Sequence, residues 1–220
     1  MEETNFVLLW KEHYEKIDQS LAINRQLLKE TISQKAESAL QSLRRFKTRG
    51  IIAAIIYLIL LGLALFYAIS NYSPTANYFI VSIGAIFLIN VKALYDYIKH
   101  LIWANNIDYS GSITAIQGKL TELQLSILRH SRFMVLQFPF WTTFYLSDKW
   151  FPASVGWGYM VFQFLLTASF TYLAYWLYKN QTIENADKKW VKTLLESSGR
   201  KSVMKAIKFY KEIENFKQGN

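Results

Sequence analysis

The chain contains three histidines, and their spacing is the first test for metal or acid–base chemistry. His13, His100 and His130 lie in three separate segments. None belongs to an HxxxH or HExxH pattern, which would place two imidazoles on one helix face for a zinc ion. The spacing predicts surface or interfacial histidines and no metal site.

The sequence also lacks the other usual sources of chemistry. Its 220 residues include no cysteine, which excludes disulfides, zinc–thiolate sites, iron–sulfur clusters and thiol nucleophiles. It has no phosphate-binding GxGxxG or GxxxxGK[ST] loop and no GxSxG nucleophile turn. We therefore expect no catalytic residue, no cofactor and no enzymatic activity.

Two long uncharged runs indicate the fold class. Residues 50–91 and 150–178 contain no Asp, Glu, Lys, Arg or His. A bilayer core of ~30 Å takes about 20 helical residues, so the first run must turn back, and Pro74 marks the turn. The pattern predicts an all-α, polytopic helical membrane protein.

Charges and turn residues predict four transmembrane helices, at about Ile51–Ser70, Ala76–Leu94, 125–147 and Trp157–Tyr178. The third is the shortest, because Arg132 and Asp148 enclose only 15 uncharged residues, and a re-entrant segment is the alternative. Pro139 should kink it. Neutral polar residues within the spans are expected to join helices by hydrogen bonds, with a pore lining as the alternative: Ser82, Asn90, Gln137, Thr142, Thr143, Gln163, Thr167, Ser169 and Thr171.

Basic residues predict the orientation. The net charge is +9, with an excess of basic residues after residue 179 and four basic residues at positions 44–49. The positive-inside rule places both termini in the cytoplasm of a bacterial inner membrane, with anionic lipid headgroups as a partner. Nucleic acid is not expected as a partner, because acidic residues are interleaved with the basic ones.

The same pattern divides the chain into three parts. Residues 1–49 form a cytoplasmic amphipathic N-terminal helix, and residues 50–178 form the membrane domain, with an intracellular helical hairpin at about 95–131. Residues 179–220 form a basic cytoplasmic helical tail. Ser112 is the expected N-cap of the second hairpin helix.

The N-terminal helix carries a heptad-like stripe, the candidate partner-binding site: Trp10, Tyr14, Ile17, Leu21, Asn24 and Leu28. We call it the N-terminal stripe. After Leu28 the apolar face shifts to a second stripe of Ile32, Ala36, Leu40 and Leu43. There are two alternatives for what packs against the N-terminal stripe. One is a cytoplasmic protein or a second copy, as in a coiled coil, and the other is the protein's own tail with its apolar face of Val203, Ile207, Tyr210 and Ile213.

The opening residues also carry a family resemblance, in Leu9-Trp10-Lys11, Ser20-Leu21, Leu27-Leu28-Lys29-Glu30 and 35–40, and further along in Ile107-Asp108-Tyr109-Ser110. They resemble a family of uncharacterised four-span inner-membrane proteins of Bacteroidota-type bacteria, encoded near extracytoplasmic-function sigma factors. The resemblance implies a membrane signalling regulator of anti-sigma type. The chain departs from ordinary anti-sigma proteins, since it lacks their zinc-binding His/Cys pattern and has four spans where they have one.

These observations favour a non-enzymatic integral membrane protein, regulatory or scaffolding, that docks a cytoplasmic partner through its cytoplasmic helices. The alternative is a channel or transporter subunit. The neutral polar residues of the spans would then line its pathway.

Overall fold

The computed structural model describes residues 2–109, 111–182, 184–185, 188–196, 199 and 201–209. Helices and turns account for this part of the chain, which contains no strand, and the predicted all-α class is confirmed. The helices are α1 (Glu2–Ser70), α2 (Asn77–Asn105), α3 (Ile113–Met134), α4 (Trp157–Asn180), α5 (Lys189–Glu196) and α6 (201–209). Short 3₁₀ turns occupy Pro74–Ala76, Val135–Gln137 and Pro139–Thr142.

Helix α1 is one continuous element of 69 residues. The sequence has no glycine before Gly50 and no proline before Pro74, so nothing interrupts the helical hydrogen bonds. At 1.5 Å per residue the helix is roughly 100 Å long, about three times a bilayer core. The predicted N-terminal helix and the predicted first span therefore form one continuous helix.

Helices α1, α2, α3 and α6 meet in an apolar core that we call the helical base. Its buried residues come from residues 32–43 of α1, the end of α2 and the turn after it, one face of α3, and α6: Ile32, Ala36, Ala39, Leu40, Leu43, Ala104, Ile107, Ile116, Leu120, Leu123, Ile127, Val203, Ala206 and Ile207. Arg44 Nη2 donates a hydrogen bond to the Ala104 carbonyl, 2.9 Å away, near the end of α2. Ser112 caps α3 as predicted, accepting from the Ala115 N–H.

Gly199 lets the tail approach α1 closely before α6 begins. Its φ is +87°, a conformation that side chains rarely adopt, and a Cβ atom there would collide with the Leu43 side chain. The tail therefore reaches the second stripe through a residue without a side chain. Gly50 has a similar role beside the ring of Tyr97, where α1 and α2 cross.

The predicted third span is not one helix. Helix α3 ends at Met134, and two 3₁₀ turns with irregular backbone follow up to residue 156. Pro139 has no N–H to continue an α-helix, so it does more than kink the segment. Residues 130–148 nevertheless run antiparallel along α2, joined to it by four hydrogen bonds: His130 to Asp96, Gln137 to Asn90, Thr143 to Ser82 and Asp148 to Asn77.

In the described part of the chain, three helices are long and apolar enough to cross a membrane, within Trp10–Ser70, Pro74–Asn105 and Trp157–Asn180. Large apolar side chains are exposed on the outer faces of these helices. Phe66 is 71% exposed on α1, Leu88 is 69% exposed on α2 and Phe164 is 73% exposed on α4. Apolar surface on this scale is far beyond what soluble monomers expose, so these helices belong in lipid.

The close fit of Gly199 predicts that Gly199→Ala detaches α6 from α1. The new methyl group meets Leu43 and the positive φ is strained, a cost of about 1–3 kcal/mol. Trypsin should then cleave after Lys201 and Lys205 about tenfold faster in detergent-solubilised protein. Gly118→Ala is the control, because a Cβ atom there has no neighbour within 4 Å, and wild-type cleavage is expected. Equal cleavage of both variants would contradict the packing of α6.

Candidate functional site

The N-terminal stripe lies on the part of α1 that extends beyond the helical base. Trp10, Tyr14, Ile17 and Leu21 are 57%, 60%, 53% and 41% exposed, and Asn24 is exposed beside them. Leu28 differs, because it packs partly buried against the helical base. Five of the six candidate residues therefore form an open surface, and Leu28 belongs to the core.

The tail covers the second stripe and not the N-terminal one. Val203 and Ile207 of α6 are buried in the same core as Leu40 and Leu43. Tyr210 and Ile213, the other two predicted covering residues, lie outside the described residues. In the part of the tail that is described, α6 thus takes the apolar face that follows Leu28 and leaves the stripe before it open.

A second feature is a polar cluster where α1, α2 and α3 meet, next to the apolar spans, with Lys92 and Tyr97 partly exposed and the other members buried. We call it the polar junction: Lys47 from α1, Lys92, Asp96, Tyr97 and His100 from α2, and Ser126 and His130 from α3. Residues 92, 96 and 100 are four apart, so α2 turns all three to one side. Residues 126 and 130 do the same on α3.

Asp96 is the centre of the polar junction. Its Oδ2 accepts hydrogen bonds from Lys92 Nζ and from His130 Nδ1, the latter at 3.0 Å. An ionised carboxylate only accepts, so the proton of His130 sits on Nδ1. His100 Nε2 lies 3.0 Å from Ser126 Oγ, and the two imidazole rings meet edge to face at 5.9 Å.

Lys47 is the most unusual member, because its side chain is fully buried. Its Nζ has no hydrogen-bond partner within the described part of the chain. The ammonium lies 4.0 Å from the centre of the Tyr97 ring and faces the charge of Asp96. A cation–π contact of this kind contributes up to about 2 kcal/mol when desolvated, against a burial cost of several kcal/mol.

The environment keeps His130 neutral. Burial is the main cause that lowers its pKa to about 4, and the charges of Lys47 and Lys92 act in the same direction. The Asp96 carboxylate opposes them through its hydrogen bond and its charge. At neutral pH His130 therefore adds no charge to the polar junction.

The structure corrects two expectations. His100 and His130, predicted at the surface or an interface, are 0% and 4% exposed, while His13 is exposed as expected. Lys47 is one of the four basic residues at positions 44–49 that predict the orientation, yet its side chain is buried inside the protein. The sequence signal for this cluster is the i,i+4 series Lys92, Asp96 and His100, which places the three residues on one face of α2 but does not indicate their partners on α1 and α3.

The neutral polar residues of the spans mostly bond to one another. Ser82 Oγ meets Thr143 Oγ1 at 2.8 Å, and Asn90 Nδ2 donates to Gln137 Oε1 at 3.2 Å. Gln163, buried on α4, donates to the Thr142 carbonyl at 2.6 Å and accepts from Tyr145. The bond from Gln163 satisfies a backbone carbonyl where the α-helix is broken, and the others pair polar side chains with one another, as an apolar environment demands. No group of His, Asp and Glu among the described residues is arranged to hold a metal ion.

The neutral state of His130 predicts that stability falls in mild acid. The unfolded chain takes up a proton on this histidine near pH 6.5, whereas the folded protein resists it down to about 4, so unfolding becomes easier between these values. The melting temperature of detergent-solubilised protein should drop from pH 7 to pH 5. His130→Asn, which keeps a donor near the Nδ1 position, should melt lower at pH 7 but show a shallower drop.

His13→Asn is the control for this measurement, because His13 is exposed on α1. Its melting temperature should follow the wild-type pH dependence. An unchanged pH dependence in His130→Asn would show that this histidine is not held neutral.

No protein-family model, curated protein or solved structure matches this chain. The likeness of its opening residues to four-span inner-membrane proteins stays a hypothesis. Function must be inferred from the exposed surfaces and buried contacts of the chain itself.

Proposed function

We propose that the protein is a non-enzymatic integral membrane protein of the inner membrane, a regulator or scaffold that docks a partner through α1. The observation that carries the proposal is the N-terminal stripe, an exposed apolar surface on a helix anchored in the apolar spans. A membrane regulator of anti-sigma type, as the family resemblance implies, needs such a surface outside the bilayer.

The proposed topology has four crossings and both termini in the cytoplasm. Three are the long apolar helices, and the fourth is the irregular segment 133–148, whose hydrogen bonds to α2 extend from Gln137–Asn90 to Asp148–Asn77. The packing of α6 against the second stripe of α1 supports an even number of crossings, because it keeps both chain ends on one side. Irregular backbone is tolerated at membrane depth when protein surrounds it.

The occupant that we propose for the N-terminal stripe is a second copy of α1. Residues 10–30 carry four basic and four acidic side chains, so two copies do not repel each other and a strongly charged partner gains nothing. The 4-3-4-3 spacing is that of a coiled coil, and Asn24 at a core position would fix its register. Each covered side chain of the stripe contributes roughly 1.5–3 kcal/mol.

A channel or transporter subunit is the second candidate. The break in the segment 135–146 favours it, because interrupted spans often hold transport sites. Against it, the carbonyls of Pro139 and Thr142 accept hydrogen bonds from Thr142 Oγ1 and Gln163 Nε2, which leaves fewer oxygens for an ion. Ion flux into liposomes that is lost in Gln163→Leu would favour this candidate.

The four crossings predict the location of the loops. Alkaline phosphatase fused after Pro74 or Pro152 should be active, because both positions would be periplasmic. Green fluorescent protein fused to the C-terminus should fluoresce, since that end would be cytoplasmic. A periplasmic C-terminus would mean that the segment 133–148 does not cross.

The proposed self-association predicts that Ile17→Asp with Leu21→Asp converts a dimer into a monomer. In a dimer, the two new carboxylates on each N-terminal stripe would be buried without water, which is unfavourable. Association should therefore weaken about a hundredfold or more. Light scattering coupled to size exclusion measures the protein mass in detergent. Leu28 is left unchanged, because its replacement would also damage the helical base.

Gln19→Asp with Ile23→Asp is the matched control. Both residues are exposed on the same helix but lie outside the stripe, so the dimer should persist. A monomeric wild type would overturn the second-copy proposal. If a cytoplasmic protein then co-purified with the wild type and not with the stripe variant, the occupant would be that protein.

A further inference from the structure

The apolar half of α1 restricts how two N-terminal stripes can meet. Helix α1 is continuous from Glu2 to Ser70, so its exposed stripe and its membrane-crossing half belong to one helix. Two copies that lie in the same membrane with the same orientation therefore extend their stripes in the same direction from the bilayer. An antiparallel pair would require one of the two helices to leave the membrane.

The bilayer also restricts the register of such a pair. Trp10 and Asn24 precede the start of the first span at Ile51 by 41 and 27 residues, which is roughly 60 and 40 Å along the helix. Identical residues of two copies therefore lie at the same height above the membrane. A shift of one heptad would displace one apolar span by about 10 Å relative to the other, a third of the ~30 Å bilayer core, and a mismatch of this size is unfavourable.

Polar residues beside the stripe favour the same arrangement. Tyr14 occupies an a position of the heptad and Ile17 a d position, which places His13 at g and Asp18 at e. In a parallel, in-register coiled coil, each g residue lies next to the e residue five positions further along the other helix. His13 of one copy then faces Asp18 of the other, and both side chains are exposed in the single chain. An imidazole N–H donates to a carboxylate, so both contacts of the pair are favourable.

We infer that two copies of α1 pair in parallel and in register over residues 10–24, with Asn24 facing its counterpart and His13 facing Asp18 of the other copy. The inference rests on the self-association proposed above, and it adds the orientation, the register and two contact residues. The contact ends near Leu28, because that residue packs against the helical base and the buried residues of α1 that follow belong to the base. The pair is therefore a short coiled coil of about two heptads.

Single cysteines test the orientation, because the natural chain has none. Trp10→Cys and Ile17→Cys lie on the stripe and should each form a disulfide-linked dimer under mild oxidation in phosphatidylcholine liposomes. Both can do so only in the parallel pair, since an antiparallel pair that brings residues 17 together places residue 10 opposite residue 24. Ile23→Cys is the matched control. This residue is 59% exposed on the same helix but lies outside the stripe, so it should crosslink at least about tenfold less.

A mixed sample tests the register. Trp10→Cys with green fluorescent protein at its C-terminus is reconstituted together with untagged Ile17→Cys, so that like and mixed disulfides differ in size on a gel. In-register pairing should give disulfides between like copies only. A shift of one heptad brings residue 10 of one copy opposite residue 17 of the other, so a majority of mixed disulfides would overturn the inferred register.

A charge exchange tests the contact beside the stripe. Asp18→Lys places an ammonium group next to His13 of the other copy and should weaken association at least about threefold, measured by energy transfer between labelled copies in liposomes. The helix itself should not suffer, because the new lysine follows Glu15 by three residues, a favourable spacing. His13→Asp combined with Asp18→Lys should restore wild-type association. Gln19→Lys, exposed outside the stripe, is the control and should associate like the wild type.

The outcomes separate this inference from the one on which it rests. A wild type that stays monomeric would overturn the self-association and the arrangement with it. A dimeric wild type would leave the self-association standing. The parallel, in-register arrangement alone would then be overturned if Trp10→Cys or Ile17→Cys failed to crosslink, or if the charge exchange failed to restore association.

Discussion

A buried lysine ammonium sets the geometry where the apolar spans meet the helical base. Lys47 has no hydrogen-bond acceptor among the described residues, so it depends on the face of Tyr97 and the charge of Asp96. Asp96 in turn needs Lys92 and His130 as donors. Because these groups come from α1, α2 and α3, satisfying one of them fixes the relative positions of all three helices. Gly50 next to Tyr97 allows the close approach that this contact requires.

The same demand for hydrogen-bond partners governs the apolar half of the molecule. After Pro139 breaks the helix, backbone carbonyls of the segment 135–146 need donors from elsewhere. Thr142 Oγ1 donates to the Pro139 carbonyl within the segment, and Gln163 Nε2 donates to the Thr142 carbonyl from α4. The neutral polar side chains of the spans therefore hold an irregular segment between two regular helices, a role that favours a structural function for them over a pore lining.

These two constraints leave the N-terminal third of α1 with a free apolar face. The helical base ends near Leu28, and the helix continues beyond it with Tyr14 and Ile17 more than half exposed. A helix held so firmly at one end presents its other end in a defined direction, which suits a docking surface.

Local sequence signals are enough for the helical class and for several helix ends. Uncharged runs, Pro74 and the cap at Ser112 act locally, so the starts of α2 and α3 and both ends of α4 lie close to where the pattern placed them, whereas α2 continues past the predicted Leu94 to Asn105. The sequence also showed two apolar stripes on α1, but not which one the tail would cover. That choice depends on packing between segments about 160 residues apart in the chain. It also depends on Gly199, which can approach Leu43 closely because it has no side chain. Likewise, only the tertiary structure placed Lys47 and two histidines around Asp96. A sequence shows which residues are charged, but their partners and their burial depend on which distant segments pack around them.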